Sequence, residues 1–416
     1  MKQSRENAEA LTKTAAAYGF LPGNGADENS AALNRAVENG GRVEITKPGV
    51  YDISEPVYLG SDTDLYFAPG VTLRRVPCKN GDNGNAFVNR GAFTGIPDHN
   101  IRIKGLTLLV NGTECLPAQN GGTKTVIGLR AHISFLYIKD LVLSDVTVPD
   151  LCKIDYAISV CEFQNALVEN CRLEGDKDGV HFGPGAGFIV RGCVFRTEDD
   201  AIALNCSDYS TSNPTLGTIE NGLIENCLDL PDKPTNSMFI RILVGGWKQW
   251  EKGMRVFHSD AVVHEGRLYR VVMRPDFESY VSLTPPTHTQ GFAVYDGIRW
   301  VRTHLGYAAE NLPFTANCRN VTVKNCTILR PRPRQMLIYA SYDEWLHSYH
   351  PGCPVPEVKN IRFENVQVLA ETAHFLHIET KTENVGVVNC YLGGSDIIET
   401  PNRRMEPYAP AGIVPI

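Results

Sequence analysis

Short stretches of alternating apolar and polar residues recur along the chain, and most end in Asn or Gly followed by Cys or another apolar residue. The clearest copies are ALVENCRL at 166–173, FIVRGCVF at 188–195, GLIENCLDL at 222–230, VTVKNCTIL at 321–329, IRFENVQVL at 361–369 and VGVVNCYL at 385–392. Alternation with period two indicates a β-strand in each copy. Cys171 and Cys193 are 22 residues apart, too few for a strand–helix–strand unit of about 30 residues. The repeat therefore predicts an all-β chain wound as a single right-handed parallel β-helix.

Stacking of the coils makes two further predictions. Equivalent residues of neighbouring coils should lie about 4.8 Å apart, so the cysteines of the repeat, Cys171, Cys193, Cys227, Cys326 and Cys390, should form a buried ladder, and the asparagines of the repeat a second, hydrogen-bonded ladder at the bend. These asparagines are Asn170, Asn226, Asn325, Asn365 and Asn389. An open coil exposes its core, and DENSAALNRAVEN at 27–39 has the acidic start and helical apolar spacing of an N-terminal capping helix.

One segment, from Trp247 to about Gly306, lacks the Asn-Cys pattern and contains three of the four tryptophans. We predict that 247–306 is a small all-β inserted module, and that 1–246 and 307–416 together form the β-helix. Trp247, Trp250 and Trp300 would then form either the core of this module or a platform for sugar rings.

Three carboxylates follow the 22-residue step. Asp178 and Asp200 fall in one column, together with Tyr156 of the coil before, and Asp199 should lie beside Lys177 of the preceding coil. Like charges about 5 Å apart resist simultaneous ionisation, so at least one pKa should be raised. Carboxyl groups with unlike pKa values are what cleavage of a glycosidic bond needs. Taken one at a time, Asp178-Gly179 and Asp199-Asp200 are also ordinary turn sequences.

The motifs KDGVHFG at 177–183 and EDDAIALN at 198–205 resemble the Asp-Gly and Asp-Asp motifs of the polygalacturonases, glycoside hydrolase family 28 of the pectin lyase-like superfamily. The segment from YGFLPGNGADENSAALNRAV to APGVTL is similar to the opening coils of that family. The resemblance implies that Asp199 is the general acid and that Asp178 and Asp200 hold and deprotonate the attacking water. It also implies inversion at the anomeric carbon, without a metal ion or cofactor.

The chain departs from the family pattern at the substrate-binding positions. Asp176-Lys177 stands where the family has Asn-Thr, the Gly-His-Gly motif is absent, and Arg-Ile-Lys becomes Arg241-Ile242-Leu243. Arg241 keeps the guanidinium that can clamp a uronate carboxylate. The resemblance therefore supports the reaction class better than it supports galacturonan as the substrate.

Further candidates for binding substrate lie near these motifs. His181 should point outward beside the carboxylates, where it would contact sugar hydroxyls or tune Asp178. Loops often carry such contacts, and Asp208 and Tyr209 in the loop after the Asp pair should line the rim. Lys177 and Arg241 are further substrate-binding candidates, and Tyr339, Tyr342 and Trp345 are candidates to stack on sugar rings. Each of these residues also has an ordinary structural interpretation as core or loop packing.

The composition argues against two classes of binding partner, nucleic acid and the membrane interior. The net charge of −7 argues against nucleic acid, which needs a basic face, and no apolar stretch of about 18 residues suggests a membrane span. The segment MKQSRENAEALTK lacks the apolar core of a secretory signal, so we expect a cytoplasmic protein, a mature form or an unusual export route. The oligomeric state is left open.

The leading interpretation is a glycoside hydrolase acting on a polysaccharide or oligosaccharide that contains uronic acids or deoxy sugars. A polysaccharide lyase or epimerase is an alternative, with Lys177 or Arg241 as the base and the carboxylates as calcium ligands. A second alternative is an adhesin or tail-spike component that binds carbohydrate without cleaving it.

Overall fold

A computed structural model describes residues 12–77, 84–110, 126–274, 276–303, 314–341, 348–350 and 352–396. Its strands run parallel from coil to coil and form three sheets around one apolar core. The chain is therefore a right-handed parallel β-helix, as predicted; right-handed connections are the rule between parallel strands.

The three sheets are numbered by their order within a coil, and two long strands, Ala131–Ser144 and Tyr156–Glu169, bend from sheet 1 into sheet 2. The other strands of sheet 1 are Val57–Leu59, Phe87–Asn89, Val180–Phe182, Ile202–Asn205, Ile240–Leu243, Arg332–Tyr339 and Thr372–Glu379. Those of sheet 2 are Lys13–Thr14, Gly41–Ile45, Thr63–Phe67, Asp98–Lys104, Gly185–Arg191, Ile219–Glu225, Cys318–Lys324, Val358–Glu364 and Thr382–Val388.

Sheet 3 closes each coil and consists mostly of short strands. They are Gly49–Ile53, Val71–Arg75, Thr107–Leu109, Thr147–Leu151, Arg172–Gly175, Val194–Thr197, Leu228–Asp229, Thr327–Ile328, Gln367–Val368, Tyr391–Leu392 and Ser395–Asp396. The last of these pairs antiparallel with the strand before it.

The 22-residue register predicted around the carboxylates is confirmed. Ile158 pairs with Val180, and Val180 pairs with Ile202. Later coils are longer, since Ile202 pairs with Ile240 and Ile240 pairs with Met336. The extra residues leave the sheets between strands, so the stacking of the coils continues without a shift.

Both predicted columns of residues are present. The five repeat cysteines, Cys171, Cys193, Cys227, Cys326 and Cys390, are buried in the core, and the five asparagines at the bend adopt left-handed backbone angles, with φ between 49° and 56°. Asn tolerates this conformation better than most residues, and Asn365 Nδ2 donates to Asn325 Oδ1 at 3.1 Å. A second asparagine ladder, which the repeat analysis missed, runs beside sheet 2 through Asn221, Asn320, Asn360 and Asn384.

The helices lie early in the chain. The predicted capping helix spans Ala26–Val37 and buries Ala32, Leu33, Ala36 and Val37 against the first coils. A 3₁₀ turn, Ala15–Tyr18, precedes it, and a short helix, Gly91–Thr94, follows later. Across the described ranges, no helix has the length and apolar character needed to cross a bilayer.

The inserted module is described over 248–274 and 276–303, and its strands pair among themselves. They are Lys248–Gln249, Met254–Val256, Ala261–His264, Arg267–Val271, Tyr280–Ser282, Phe292–Tyr295 and Ile298–Arg302. An antiparallel pair, Gly245–Gly246 with Thr315–Ala316, stands at its base.

The tryptophans divide between two cores. Trp300 is buried in the module's own core and Trp250 packs against that core, whereas Trp247 belongs to the core of the β-helix. The strands described between 248 and 303 form sheets of their own, and the division of the chain into a β-helix and an inserted module at 247–306 stays a prediction.

The bend at Asn365 allows a test of why asparagine occupies these ladders. Both Asn365→Gly and Asn365→Ala remove the amide that donates to Asn325, but only alanine must hold the left-handed φ of 51°. We expect the alanine variant to be less stable than the glycine variant by about 1 kcal/mol, measured by urea unfolding. Equal midpoints would show that backbone strain is not the reason for asparagine at this bend.

Candidate active site

The candidate site lies where the chain enters sheet 1 in two consecutive coils. Asp178 directly precedes Gly179 and the strand Val180–Phe182, and Asp200 lies one coil further on, with its carbonyl accepting the Gly179 N–H at 3.0 Å. A Cβ on Gly179 would lie 2.7 Å from the Ala201 carbonyl oxygen. The glycine of the Asp-Gly motif is therefore required by the close stacking of two coils, and not by a turn with positive φ.

The three carboxylates lie together. One oxygen from each of Asp178, Asp199 and Asp200 can be chosen so that all three atoms lie within 4.8 Å of one another. Asp178 and Asp200 are 0% and 1% exposed, whereas the Asp199 side chain is 30% exposed. Asp199 is thus the carboxylate of the three that a ligand can reach directly.

Each carboxylate has a cationic or protonatable neighbour. Lys177 forms an ion pair with Asp199, and Arg241 Nε lies 2.8 Å from Asp200 Oδ2. His181 Nδ1 lies 3.1 Å from Asp178 Oδ2. Buried charges need such partners, because the loss of hydration otherwise costs several kcal/mol per ion.

The pKa values of the two buried carboxylates, Asp178 and Asp200, are shifted in opposite directions. Burial alone would raise the pKa of Asp178, but its hydrogen bond with His181 and two nearby cations lower that pKa to about 2. Burial raises the pKa of Asp200; the charge of Arg241 opposes this shift and the charge of Asp178 adds to it. The expectation that one carboxyl in the cluster has a raised pKa is met at Asp200.

His181 does not point into solvent as expected. It is fully buried beneath the loop 207–215, and its ring stacks on Tyr156 with the centroids 4.3 Å apart. Its Nε2 lies 2.6 Å from Asn213 Oδ1. His181 lies in the predicted column between Ser159 and Ala203. Because the loop folds over this column, His181 contacts protein groups where a sugar was expected.

The loop residues proposed for the rim also turn inward. Asp208 is buried, accepts a hydrogen bond from the Tyr209 backbone N–H at 2.7 Å and a second from the Asn205 amide, and lies 3.7 Å from Arg241 Nη2. Asp208 therefore lies beneath the surface as a counter-ion and not at the rim. The half-buried Tyr209 accepts a hydrogen bond from Arg130 Nη1 at 2.8 Å.

The remaining candidates surround Arg241. Tyr339 is half-buried on Arg332–Tyr339, where it pairs with Leu243, two residues beyond Arg241 on the neighbouring strand. Arg241 itself is mostly buried, with Asp200 and Asp208 on its guanidinium. Tyr342 and Trp345 lie outside the described residues. The structure thus places Lys177 and Arg241 against the carboxylates and Tyr339 near Arg241, and their roles as substrate ligands stay predictions.

Residues that the sequence analysis missed hold this site from outside the motifs. They are Arg130, Tyr156, Asn213 and Arg270. Tyr156 stood in the predicted column with Asp178 and Asp200, which was the available signal. No sequence signal pointed to Arg270, because it contacts Asn213 from a different sheet and lies 57 residues away along the chain.

Ca²⁺ and Mg²⁺ prefer oxygen ligands of this kind, so the charges around the three carboxylates decide whether a metal ion could bind there. Lys177 and Arg241 lie on two of the three carboxylates and would repel a divalent ion. The donor set therefore does not fit a resident metal, and this weighs against the carboxylates as calcium ligands in a lyase.

Comparisons with known proteins found similarity in fold and none in sequence family. No protein-family model and no curated protein matches the sequence. Similar solved structures include a family 28 exopolygalacturonase from Yersinia enterocolitica, with 13% identity, a TM-score of 0.48, and coverage of 92% of this chain and 76% of that one. A family GH82 iota-carrageenase from A. fortis has 12% identity, a TM-score of 0.48, and coverage of 90% and 94%.

A third similar structure is PfbA, a surface adhesin of Streptococcus pneumoniae, with 15% identity, a TM-score of 0.45, and coverage of 91% of this chain and 89% of that one. At these identities and TM-scores the likenesses carry no argument about function. They leave the site itself as the basis for a functional proposal.

The opposite pKa shifts of Asp178 and Asp200 predict opposite dependences of stability on pH. Asp178, with its pKa lowered from an unfolded value of about 3.9, stabilises the fold above that pH and loses this contribution as the pH falls towards 2. Asp200, with its pKa raised, carries a penalty at neutral pH that acid relieves.

The measurement is urea unfolding of wild type, Asp178→Asn and Asp200→Asn between about pH 5 and pH 3. On acidification, the stability advantage of the wild type over Asp178→Asn should shrink by on the order of 1 kcal/mol. The free energy of unfolding of the wild type should instead rise relative to that of Asp200→Asn. Parallel pH profiles for the two variants would contradict the assigned shifts.

Proposed function

We propose that this protein is a glycoside hydrolase that cleaves a polysaccharide or oligosaccharide containing uronic acids or deoxy sugars, by acid/base catalysis at aspartates. The observation that carries the proposal is the convergence of Asp178, Asp199 and Asp200, with oxygens within 4.8 Å and unlike environments. Carboxyl groups held in different protonation states by their surroundings supply the proton donor and acceptor for glycosidic cleavage.

The exposure of the three aspartates suggests how the roles divide. Asp199 is the general acid in this proposal, because it is partly exposed and can reach a glycosidic oxygen. Asp178 Oδ1 is buried and has no hydrogen-bond partner among the described residues. A buried acceptor without a partner usually marks a place for a water or a ligand, so this oxygen is suited to hold the attacking water with Asp200.

An extended substrate has room in a groove near the site, although none of the three aspartates lines that groove. A groove of about 520 Å³ continues along the helix axis over the next coils, lined by Thr235, Asn236, Pro331, Pro333, Thr372 and Ala373 among others. Thr235 links the groove to the site, since its hydroxyl donates to the Glu198 carbonyl at 2.5 Å. The groove favours a chain of sugars over a single small sugar.

A binding protein without turnover is the second candidate. It is favoured by one observation: Asp178 and Asp200 are almost completely buried, so a sugar docked on this surface would touch Asp199 alone. The lyase alternative has less support, because Lys177 and Arg241, its candidate bases, are both held in ion pairs with carboxylates.

Replacement of the proposed acid tests the hydrolase. Asp199→Asn should lower kcat at least about 10²-fold, the usual contribution of a general acid, on whichever substrate a screen of polysaccharides and aryl glycosides identifies. Thermal stability should change little, because Asp199 is partly exposed. Asp64→Asn is the matched control: Asp64 is 29% exposed and ion-paired with Arg42 on sheet 2. Full activity in Asp199→Asn would reject the assignment, and sugar binding without turnover by the wild type would favour the binding protein.

The stereochemistry of the product is a separate prediction. The resemblance to the polygalacturonases predicts inversion, although oxygens within 4.8 Å are closer than the roughly 6.5–9.5 Å usual for a pair of carboxyl groups in inverting enzymes. We expect NMR of the first product formed to show the inverted anomer, with the water held by two carboxylates on one side of the sugar. Initial formation of the retained anomer would instead assign a nucleophile to this cluster.

A further inference from the structure

The inserted module reaches the carboxylate site through the buried Arg270. Arg270, on the module strand Arg267–Val271, is 1% exposed. Its Nη1 donates to the Asn213 carbonyl at 2.9 Å, and its Nη2 donates to the Asp208 carbonyl. Both acceptors belong to the loop 207–215, so the module holds this loop by its backbone.

The same loop sets the orientation of one amide. Asn213 Nδ2 donates to the Asn205 carbonyl at 2.5 Å, which leaves Asn213 Oδ1 directed at His181 Nε2, 2.6 Å away. If the amide were reversed, its oxygen would face a carbonyl oxygen and its N–H₂ would face the imidazole. The backbone carbonyl of Asn205 therefore fixes Asn213 as an acceptor towards His181.

Two acceptors then face the two nitrogens of one ring. Because Asn213 Oδ1 accepts at 2.6 Å, His181 Nε2 must carry a hydrogen. On the other side Nδ1 lies 3.1 Å from Asp178 Oδ2, and a neutral Nδ1 beside an ionised carboxylate would place two lone pairs in contact. One proton must therefore lie between His181 Nδ1 and Asp178 Oδ2.

The surroundings of His181 leave few other ways to supply this proton. Tyr156 stacks on the ring and Asn205 Nδ2 lies 3.5 Å from Nε2. The charged groups that act on Asp178 are Lys177, Arg241, Arg130 and Asp200. Among the described residues, the polar contact recorded for Nδ1 is Asp178 Oδ2, so this contact is the one that holds the shared proton.

We propose that Arg270 is a positioning residue, through which the inserted module holds Asn213 against His181 and thereby keeps one proton between His181 Nδ1 and Asp178 Oδ2. This occupies Oδ2 and leaves Asp178 Oδ1 for the attacking water. The catalytic meaning of the arrangement rests on the proposed hydrolase, whereas the hydrogen-bond chain from Arg270 to Asp178 does not.

The test reads the protonation of His181 directly. Full-length protein labelled with ¹⁵N at its histidines is examined by long-range ¹H–¹⁵N NMR at neutral pH, with the His181 signal assigned by its loss in His181→Gln. In the wild type we expect a single His181 state with a protonated Nε2. In Arg270→Met we expect loss of this single state, with both nitrogens showing exchange between protonated and unprotonated forms.

Three variants complete the design. Arg267→Gln is the matched control from the same strand, since Arg267 is partly exposed and pairs with Glu265 on the module surface, and it should leave the His181 signal unchanged. Arg270→Lys should restore part of the wild-type pattern because it retains a charged donor. Asn213→Ala should reproduce the effect of Arg270→Met, and it replaces that variant should Arg270→Met fail to fold.

The outcomes separate the inference from the proposed function. A wild-type His181 protonated at Nδ1 alone with a bare Nε2, or an unchanged signal in both folded Arg270→Met and Asn213→Ala, would overturn the inference. Loss of the single state in those variants supports it, even should the wild type cleave no sugar. Where hydrolysis is found, Arg270→Met should lower kcat at least tenfold with little change in KM, since the arginine does not touch the substrate groove.

Discussion

The hydrogen bonds between stacked coils are the constraint on which the rest of this structure depends. They oblige equivalent residues of successive coils to lie one strand spacing apart, whatever the side chains are. Ile158, Val180 and Ile202 therefore form a column inside the core. The same register places Asp178 and Asp200 side by side, so the backbone brings together two like charges that would otherwise separate.

Such a pair is tolerated because the fold supplies opposite charge from both directions along the stack. Lys177 comes from the first coil of the pair, Arg241 from the coil beyond it, and His181 lies three residues after the aspartate that it contacts. Each carboxylate thus has a different neighbour and a different degree of burial. This asymmetry gives chemically distinct groups within a few ångströms, as acid/base catalysis requires.

The repeat made the fold and the meeting of the aspartates predictable, because both follow from period-two alternation and a 22-residue step. The positions of His181 and Asp208 were not predictable in the same way. Their surroundings depend on how the loop 207–215 folds back, and that loop is held by Arg270 from a sheet with its own, unrelated pattern. Spacing along the chain carries information about stacked coils but none about a contact between two separate sheets.

The module leaves and rejoins the β-helix at one antiparallel pair, Gly245–Gly246 with Thr315–Ala316, while the strands on either side stay in step. A segment attached in this way can be lengthened, exchanged or lost during evolution without disturbing the coils beneath it. Its reach to the loop over the aspartates means that such an exchange would also alter their surroundings. Relatives of this chain with a different insertion could therefore acquire a new specificity while every aspartate stays in place.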